Sequence, residues 1–266
     1  MYRGILLLFA LSCLILCSCI KPQNNSTEKY PRSSFLFMSR MTVALDCSNN
    51  KCEVLSEAAR GSGFAVAHYD GGTVGMTAGH VCDAAMTSEV ISYGTERLHE
   101  LSITTDQGLK SKAVILGIYH RQDLCAFYVP EVELPHIPLA NKPPTYADDV
   151  HTLAAPLSIY EPGAVPILTG KYFGVFNKNS FDMYSIPSMF GSSGAPILNK
   201  KGEILGVISR AYPKFHQICI SPRFYQVAYL VISLRSGFIP EDLSHAKDFA
   251  SKHYGGYAKR STLESP

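Results

Sequence analysis

The chain has 266 residues, of which 46% are hydrophobic and 17% are charged. This composition is typical of a globular protein and excludes disorder over most of the chain, and the length suits one large or two small domains. A net charge of +2, with scattered basic residues, gives no support for nucleic-acid binding.

The first residues have the pattern of an export signal. Arg3 is followed by an apolar run, Ile5 to Leu16, which is too short to span a bilayer comfortably as a helix of about 20 residues. The segment Leu16–Cys19 resembles a bacterial lipobox, which implies cleavage before Cys19 and acylation of its side chain. An ordinary signal peptide and an uncleaved anchor remain alternatives. We therefore predict an exported protein that is attached through its N-terminus to a bacterial envelope membrane, on the periplasmic or cell-surface side.

Five cysteines follow Cys19, and export permits disulfides among them. They are Cys47, Cys52, Cys82, Cys125 and Cys219. Cys47 and Cys52 bracket a turn-like Ser-Asn-Asn-Lys insert, which favours a bridge across a hairpin, and the odd count leaves at least one thiol unpaired. No Cys-x-x-Cys pair or neighbouring His pair occurs, so no metal site is predicted.

Short apolar, β-rich runs punctuated by Gly, Pro and Asn fill the middle of the chain and predict a sandwich or barrel rather than βαβ units. In chain order they are Phe35–Leu45, Gly63–His68, Thr73–Thr77, Ala113–Tyr119, Leu124–Val129, Val165–Phe176, Ile204–Ser209 and Phe224–Leu234. The segment Pro135–Asp149 contains four prolines and predicts a linker between two β halves. A short helical turn is expected after Gly79. Apolar residues at helical spacing from Leu243 to Ala250, with Pro240 near the start, predict a C-terminal helix.

Three segments carry residues suited to acyl transfer. Gly191–Pro196 surrounds Ser193 with small residues, so a tight turn there can present a hydroxyl and nearby backbone N–H groups. His80 ends the segment Thr77–His80, which follows a predicted strand, and Asp123 directly precedes the run Leu124–Val129. Each segment alone has an ordinary structural explanation, as a Gly/Ser turn, a surface histidine or a turn aspartate.

Together with Gly61–Phe64 and Ile204–Ser209, these segments resemble, in order, those of the chymotrypsin-fold (trypsin-like) serine peptidases, closest to the bacterial HtrA-like branch. The resemblance covers about Phe35 to Leu234. It implies an all-β fold of two six-stranded antiparallel β-barrels with the site in the cleft between them, followed by a short C-terminal helix. The expected divisions are a signal peptide over 1–19, a tether over 20–34, barrels over 35–140 and 141–236, and a helix and tail over 237–266.

The resemblance also implies the roles of individual residues. His80, Asp123 and Ser193 correspond to a catalytic triad, and the backbone N–H groups of Gly191 and Ser193 to an oxyanion hole. The implied activity is that of a serine endopeptidase acting on proteins or peptides, with no cofactor. Ser192 is the alternative nucleophile if the register is shifted by one residue.

The resemblance also implies which residues contact substrate. They are Pro187, Phe190, Ser209, Arg210 and Ala211. By this resemblance Pro187 stands at the base of the primary pocket, where no acidic residue can pair with a substrate Arg or Lys, and the nearest preceding acid is Asp182, eleven residues before Ser193. Ala211 in place of a glycine narrows the pocket. We therefore predict cleavage after small or medium apolar residues.

Two departures from the HtrA-like pattern limit what is carried over. Only about 30 residues follow the second predicted barrel, too few for a PDZ domain, so neither trimerisation nor peptide-gated activation is predicted. Ala195 replaces the usual glycine after Ser-Gly, which puts the resting geometry of the turn in question.

Two rival functions remain. One is a catalytically silent relative that uses the same fold as a binding module, because fold does not settle activity. The other is an esterase on a different fold, which the order His, Asp, Ser along the chain disfavours, because α/β-hydrolases have the order Ser, Asp, His.

Overall fold

The computed structural model describes residues 29–48, 51–83, 95–176, 181–212 and 214–254. The predicted signal, Cys19, most of the tether and the last twelve residues of the predicted C-terminal helix and tail lie outside these residues. Within them, no helix is both long and apolar enough to span a membrane.

Six antiparallel strands form a closed barrel in the first half of the chain. They are β1 (Phe35–Ser48), β2 (Lys51–Tyr69), β3 (Gly72–Ala78), β4 (Thr95–Thr105), β5 (Lys110–Tyr119) and β6 (Leu124–Val129). Around the barrel the order is β1-β2-β3-β6-β5-β4. Side chains alternate between inside and outside along a strand, and the buried set that includes Leu36, Met38, Leu101 and Ile103 fills the interior.

Seven strand segments form the second half. They are β7 (Asp149–Leu153), β8 (Ile167–Phe176), β9 (Phe181–Tyr184), β10 (Pro196–Asn199), β11 (Ile204–Val207), β12 (Arg210–Tyr212) and β13 (Phe215–Pro222). They make one sheet in the order β11-β10-β7-β8-β9-β13-β12.

The seven segments correspond to the six predicted strands, because β11 and β12 are consecutive parts of one interrupted strand. These two segments lie at opposite ends of the sheet order and are separated only by Ile208 and Ser209. Ile208 N–H donates to Ala195 O at 2.9 Å, and Ser209 N–H donates to Ile220 O at 2.9 Å, so the interrupted strand changes partners at this point. The break therefore passes the chain from one end of the sheet order to the other, and the all-β, chymotrypsin-like fold class is confirmed.

The described residues also contain three α-helices, α1 (Gly79–Cys82), α2 (Phe224–Arg235) and α3 (Ala246–His253), and two short 3₁₀ helices, Arg32–Ser34 and Pro156–Ser158. The turn after Gly79 and the C-terminal helix were both predicted. The prediction of a strand over Phe224–Leu234 is wrong. At the start of α2, Arg223 N–H donates a hydrogen bond to the Gln226 side chain at 3.1 Å. Most side chains of the helix are buried in a cluster shared by both halves, while Ile232 and Arg235 are exposed.

The proline-rich linker runs between β6 and β7 and packs against both halves. Ile137 is fully buried and its N–H donates to Ala65 O at 3.0 Å, while Pro138 O accepts a hydrogen bond from Ile204 N–H at 2.7 Å. From α2, the Arg235 guanidinium donates to Ile137 O at 2.6 Å. The two halves are therefore joined by a segment with defined contacts, and their mutual placement sets the groove between them.

Candidate active site

His80 lies on α1, immediately after β3, at the edge of the first barrel. Gly79 allows this helix to approach the start of β6, since a Cβ atom at residue 79 would lie 3.1 Å from Asp123 Oδ1 and 3.2 Å from Leu124 N. The buried Arg40 guanidinium donates to His80 O at 2.6 Å and forms an ion pair with Glu57. The carbonyl group of His80 is therefore held from β1.

Asp123 is 5% exposed and has a φ of 54°, an uncommon value for a residue other than glycine. Its carboxylate accepts hydrogen bonds from His80 N–H at 2.9 Å and from His80 Nδ1 at 2.9 Å. Because a carboxylate only accepts, Nδ1 carries a proton, and whenever the ring is neutral Nε2 is the nitrogen that can accept one.

The Ser209 hydroxyl donates to Asp123 Oδ2 at 2.5 Å from the second half of the chain. Burial alone would raise the pKa of Asp123, but the hydrogen bonds and charge of His80, together with this hydroxyl, hold that pKa below its ordinary value. Asp123 is therefore an ionised carboxylate that fixes the orientation of the imidazole. Ser209, predicted to contact substrate, also supports this carboxylate.

A disulfide between Cys82 and Cys125 runs beside the His–Asp pair. Cys82 lies two residues after His80, and Cys125 lies two residues after Asp123, so the bridge joins the two elements that carry the pair. The predicted hairpin bridge, Cys47–Cys52, is also present. Cys219 is a buried free thiol, and burial raises its pKa to about 12, which keeps it protonated and unreactive.

The turn that carries Ser193 needs glycine at two positions. Gly191 has a φ of 88° and Gly194 a φ of 86°, both in the left-handed region. A Cβ atom at residue 191 would lie 2.2 Å from Ala155 O, and one at residue 194 would lie 2.0 Å from Thr77 Oγ1. Ala195 is not among the described residues with positive φ, so its replacement of glycine does not distort the turn.

Ser62 on β2 holds this turn in place from the first barrel. Its N–H donates to Ser193 O at 2.8 Å, and its hydroxyl donates to Gly191 O at 2.8 Å. The same hydroxyl accepts a hydrogen bond from Ala155 N–H at 3.0 Å, and Ser62 O accepts one from the Thr77 hydroxyl at 2.7 Å. The Gly61–Phe64 motif therefore has a direct structural role in positioning Ser193.

Two backbone N–H groups of the turn are available to a ligand. Ser192, Gly194 and Ala195 all donate their N–H groups to backbone carbonyls. Among the described residues, the N–H groups of Gly191 and Ser193 donate to no acceptor in the chain. These are the two groups predicted to form the oxyanion hole.

The two adjacent serines have different environments. Ser192 is fully buried, and its oxygen accepts a hydrogen bond from Met189 N–H at 3.3 Å. Ser193 is partly exposed and lines the same groove as His80. Within the described part of the chain its hydroxyl has no hydrogen-bond partner, His80 included. The groove therefore presents the hydroxyl of Ser193 and not that of Ser192.

The groove has a volume of about 830 Å³ and lies between the two halves. Its walls include Phe190, Ser209, Arg210 and Ala211, as predicted for substrate contacts. Pro187 does not line it, because side chains alternate in the extended segment after β9 and Ser188 takes that place, with its N–H bonded to His216 O at 2.8 Å. Met189 and His216 also line the groove, and Phe190 is 89% exposed at its mouth.

Asp182 takes no part in the groove. It is fully buried and forms an ion pair with Arg223 at 2.9 Å, while it also accepts hydrogen bonds from Tyr172 OH at 3.1 Å and Phe224 N–H at 2.8 Å. It anchors the start of α2 to the second sheet. The sequence also gave no indication that Arg40 supports His80, because that contact joins residues far apart in the chain.

Comparison with known proteins agrees with this geometry. The family described as "Trypsin-like peptidase domain" matches residues 61–207, which is more than half of the chain. The chain is similar in fold to the serine endoprotease from Yersinia pestis, with a TM-score of 0.57 and 17% identity over 80% of this chain. It covers 66% of that protein, slightly under two thirds of its length. No curated protein matches significantly. The family match, together with the six-stranded barrel and second sheet of this chain, therefore identifies the chain as a member of the trypsin-like peptidases.

Proposed function

We propose that the chain is a serine endopeptidase in which His80, Asp123 and Ser193 are the catalytic residues. The observation that carries the proposal is that His80 and Ser193 line one groove. The Asp123 carboxylate orients His80, and among the described residues the backbone N–H groups of Gly191 and Ser193 have no acceptor. These are the components that acyl transfer requires.

In the proposed reaction, Ser193 Oγ attacks the scissile carbonyl while His80 Nε2 accepts its proton. Asp123 remains ionised, keeps the proton on Nδ1 and stabilises the imidazolium that forms. The N–H groups of Gly191 and Ser193 bind the oxygen of the tetrahedral intermediate. Each such donor lowers the activation free energy by about 3–4 kcal/mol in enzymes that use an oxyanion hole. His80 then protonates the leaving amine, and water hydrolyses the acyl-enzyme by the same steps.

We further propose that the enzyme cleaves after small or medium apolar residues. Glu57 is the sole carboxylate among the described residues that line the groove, and its charge is neutralised by Arg40. No unpaired acid among them therefore suits a substrate Arg or Lys, while Met189 and Ala211 offer apolar surface.

A fluorophosphonate probe followed by peptide-library digestion tests the proposal. We expect Ser193→Ala to abolish labelling and to lower kcat by roughly 10⁴-fold or more, since loss of a triad serine removes the nucleophile. Ser192→Ala is the matched control one residue away and is expected to label and to cleave as the natural chain does. Labelling that persists in Ser193→Ala would contradict the assignment, and the library would reveal the residue before the cleaved bond.

A catalytically silent binding module is the second candidate, and one observation favours it: the Ser193 hydroxyl has no hydrogen bond to His80 among the described residues. Catalytic hydrogen bonds are often long in unliganded enzymes and tighten with substrate, so this separation is also compatible with activity. A folded chain that neither reacts with the probe nor cleaves any library peptide would support the binding module.

We also propose lipid attachment at Cys19, on the strength of its lipobox-like sequence alone. Metabolic labelling with a fatty acid in a bacterial host tests this. Cys19→Ser is expected to lose the label, whereas Cys17→Ser, the control two residues earlier, is expected to keep it. Equal labelling of the two variants would refute the proposal.

A further inference from the structure

Strand β2 extends well beyond the barrel, and much of one edge is unpaired. Its 19 residues pair with β1 along one side from Lys51 to Phe64. On the other side β3 pairs only with Phe64–Tyr69. Among the described residues, no strand pairs with that side between Lys51 and Gly63. We call the portion from residue 54 to residue 60 the β2 edge.

Alternation along the strand defines which main-chain groups face outward at the β2 edge. Ser62 N–H donates to Ser193 O, so the backbone groups of Ser62 point away from β1. The β1–β2 register is continuous, without a bulge, from Phe35–Phe64 to Ser48–Lys51. In an antiparallel ladder the N–H and C=O groups of every second residue point to the same side. Those of Arg60, Ala58 and Ser56 therefore face outward with Ser62.

The β2 edge begins inside the catalytic groove. Glu57, Ala58, Ala59 and Arg60 line the groove together with Ser193. The proposed pocket for the residue before the scissile bond lies on the second half of the chain, at residues 188–191 and 209–211. The wall formed by β2 therefore remains for the residues that follow the scissile bond. From Arg60 to Ser56 the edge continues outward for roughly 13 Å.

We propose that the β2 edge binds the part of a polypeptide substrate that follows the scissile bond, as an added β-strand paired with Ala58 and Ser56. This proposal rests on the proposed endopeptidase function and assigns the substrate class: unfolded or extended chains with at least six residues after the bond. Main-chain hydrogen bonds supply affinity in strand addition and are insensitive to sequence. The Cys47–Cys52 bridge closes the tip of the β1–β2 hairpin, which limits fraying of the edge.

A peptide series with a constant segment before the bond and two, four or six residues after it tests the length dependence. Each paired residue adds two hydrogen bonds, so we expect kcat/KM to rise about tenfold for each added pair of residues. N-methylation of successive amides after the bond should lower kcat/KM at alternate positions only, because every second N–H faces the edge. Equal rates for all lengths, or a flat methylation profile, would overturn the proposal.

Binding to the Ser193→Ala chain separates the edge from catalysis. The six-residue peptide should bind at least tenfold more tightly than its form methylated at the sensitive amides, measured by fluorescence anisotropy. Equal affinities refute the docking proposal, whereas failure of the natural chain to react with the fluorophosphonate refutes the proposed function.

Substitution at Ser56 tests the edge from the protein side. Ser56→Pro removes an outward N–H without removing a donor from the β1 ladder, and it should lower the ratio of long-peptide to short-peptide kcat/KM about tenfold. Ser56→Ala keeps the N–H and should keep the ratio. Titration with the fluorophosphonate probe measures the concentration of reactive sites in each preparation, so that rates are compared per folded molecule. A dimer of the free chain that Ser56→Pro disrupts would assign the edge to a second copy and overturn the proposal.

Discussion

Removal of the disulfide beside the His–Asp pair should cost more stability than removal of the disulfide at the hairpin tip. The Cys82–Cys125 bridge spans 43 residues, whereas Cys47–Cys52 spans five. In the chain-entropy description, closing loops of these lengths stabilises the folded state by about 4 and about 2 kcal/mol, respectively. We therefore expect the double alanine variant at 82 and 125 to be about 2 kcal/mol less stable than the one at 47 and 52.

Urea unfolding followed by circular dichroism measures this difference, and thermal unfolding should show a gap of roughly 4–8 °C between the two variants. The rate of fluorophosphonate labelling is the second readout. The variant at 82 and 125 should label about tenfold more slowly, because the elements that carry His80 and Asp123 lose their covalent link. Equal losses of stability, or unchanged labelling in both variants, would refute the reasoning.

Two further predictions concern buried carboxylates. Ser209→Ala should raise the pKa of Asp123, because it removes a hydrogen bond that lowers that pKa. A carboxylate whose pKa is lowered in the folded state stabilises the protein at neutral pH, and this stabilisation is lost as pH falls through the folded pKa. The free energy of unfolding measured with urea should therefore begin to fall at a higher pH in the variant than in the natural chain. No change in the pH dependence would contradict the role given to Ser209. Asp182→Asn should lower the free energy of unfolding by roughly 3–5 kcal/mol, since it removes the carboxylate from the buried ion pair with Arg223, while the residue preferred before the cleaved bond stays the same. A changed preference in a peptide library would place Asp182 in the pocket after all.

Elements with a local signal were predictable from the sequence. β6 has the predicted bounds because an apolar run follows a turn aspartate and is buried at nearly every position. β4 was missed because it is largely polar, with Leu101 and Ile103 as its buried apolar residues and with its partners, β1 and β5, supplied by the fold. α2 was taken for a strand because a helix buried on most sides has no polar face to reveal its period.

The three proposed catalytic residues were identified from the sequence because their local motifs are distinctive and follow one another in a known order. The contacts that hold them were not. The Ser209 hydroxyl reaches Asp123 across the groove, and Cys82 pairs with Cys125 among five cysteines whose connectivity the sequence leaves undetermined. Pro187 was placed at the pocket base by position alone, and the direction of its side chain depends on the register of an irregular segment.

Ser62 links the turn that carries Ser193, in the C-terminal half, to the N-terminal barrel. The turn that carries Ser193 belongs to the C-terminal half, but its carbonyl groups are held by an N–H and a hydroxyl from the N-terminal half. The complete set of hydrogen bonds around that turn therefore needs both halves. Any peptidase activity of this chain therefore appears only after both halves have docked, so a nascent or partly folded molecule is inert toward its neighbours and toward itself.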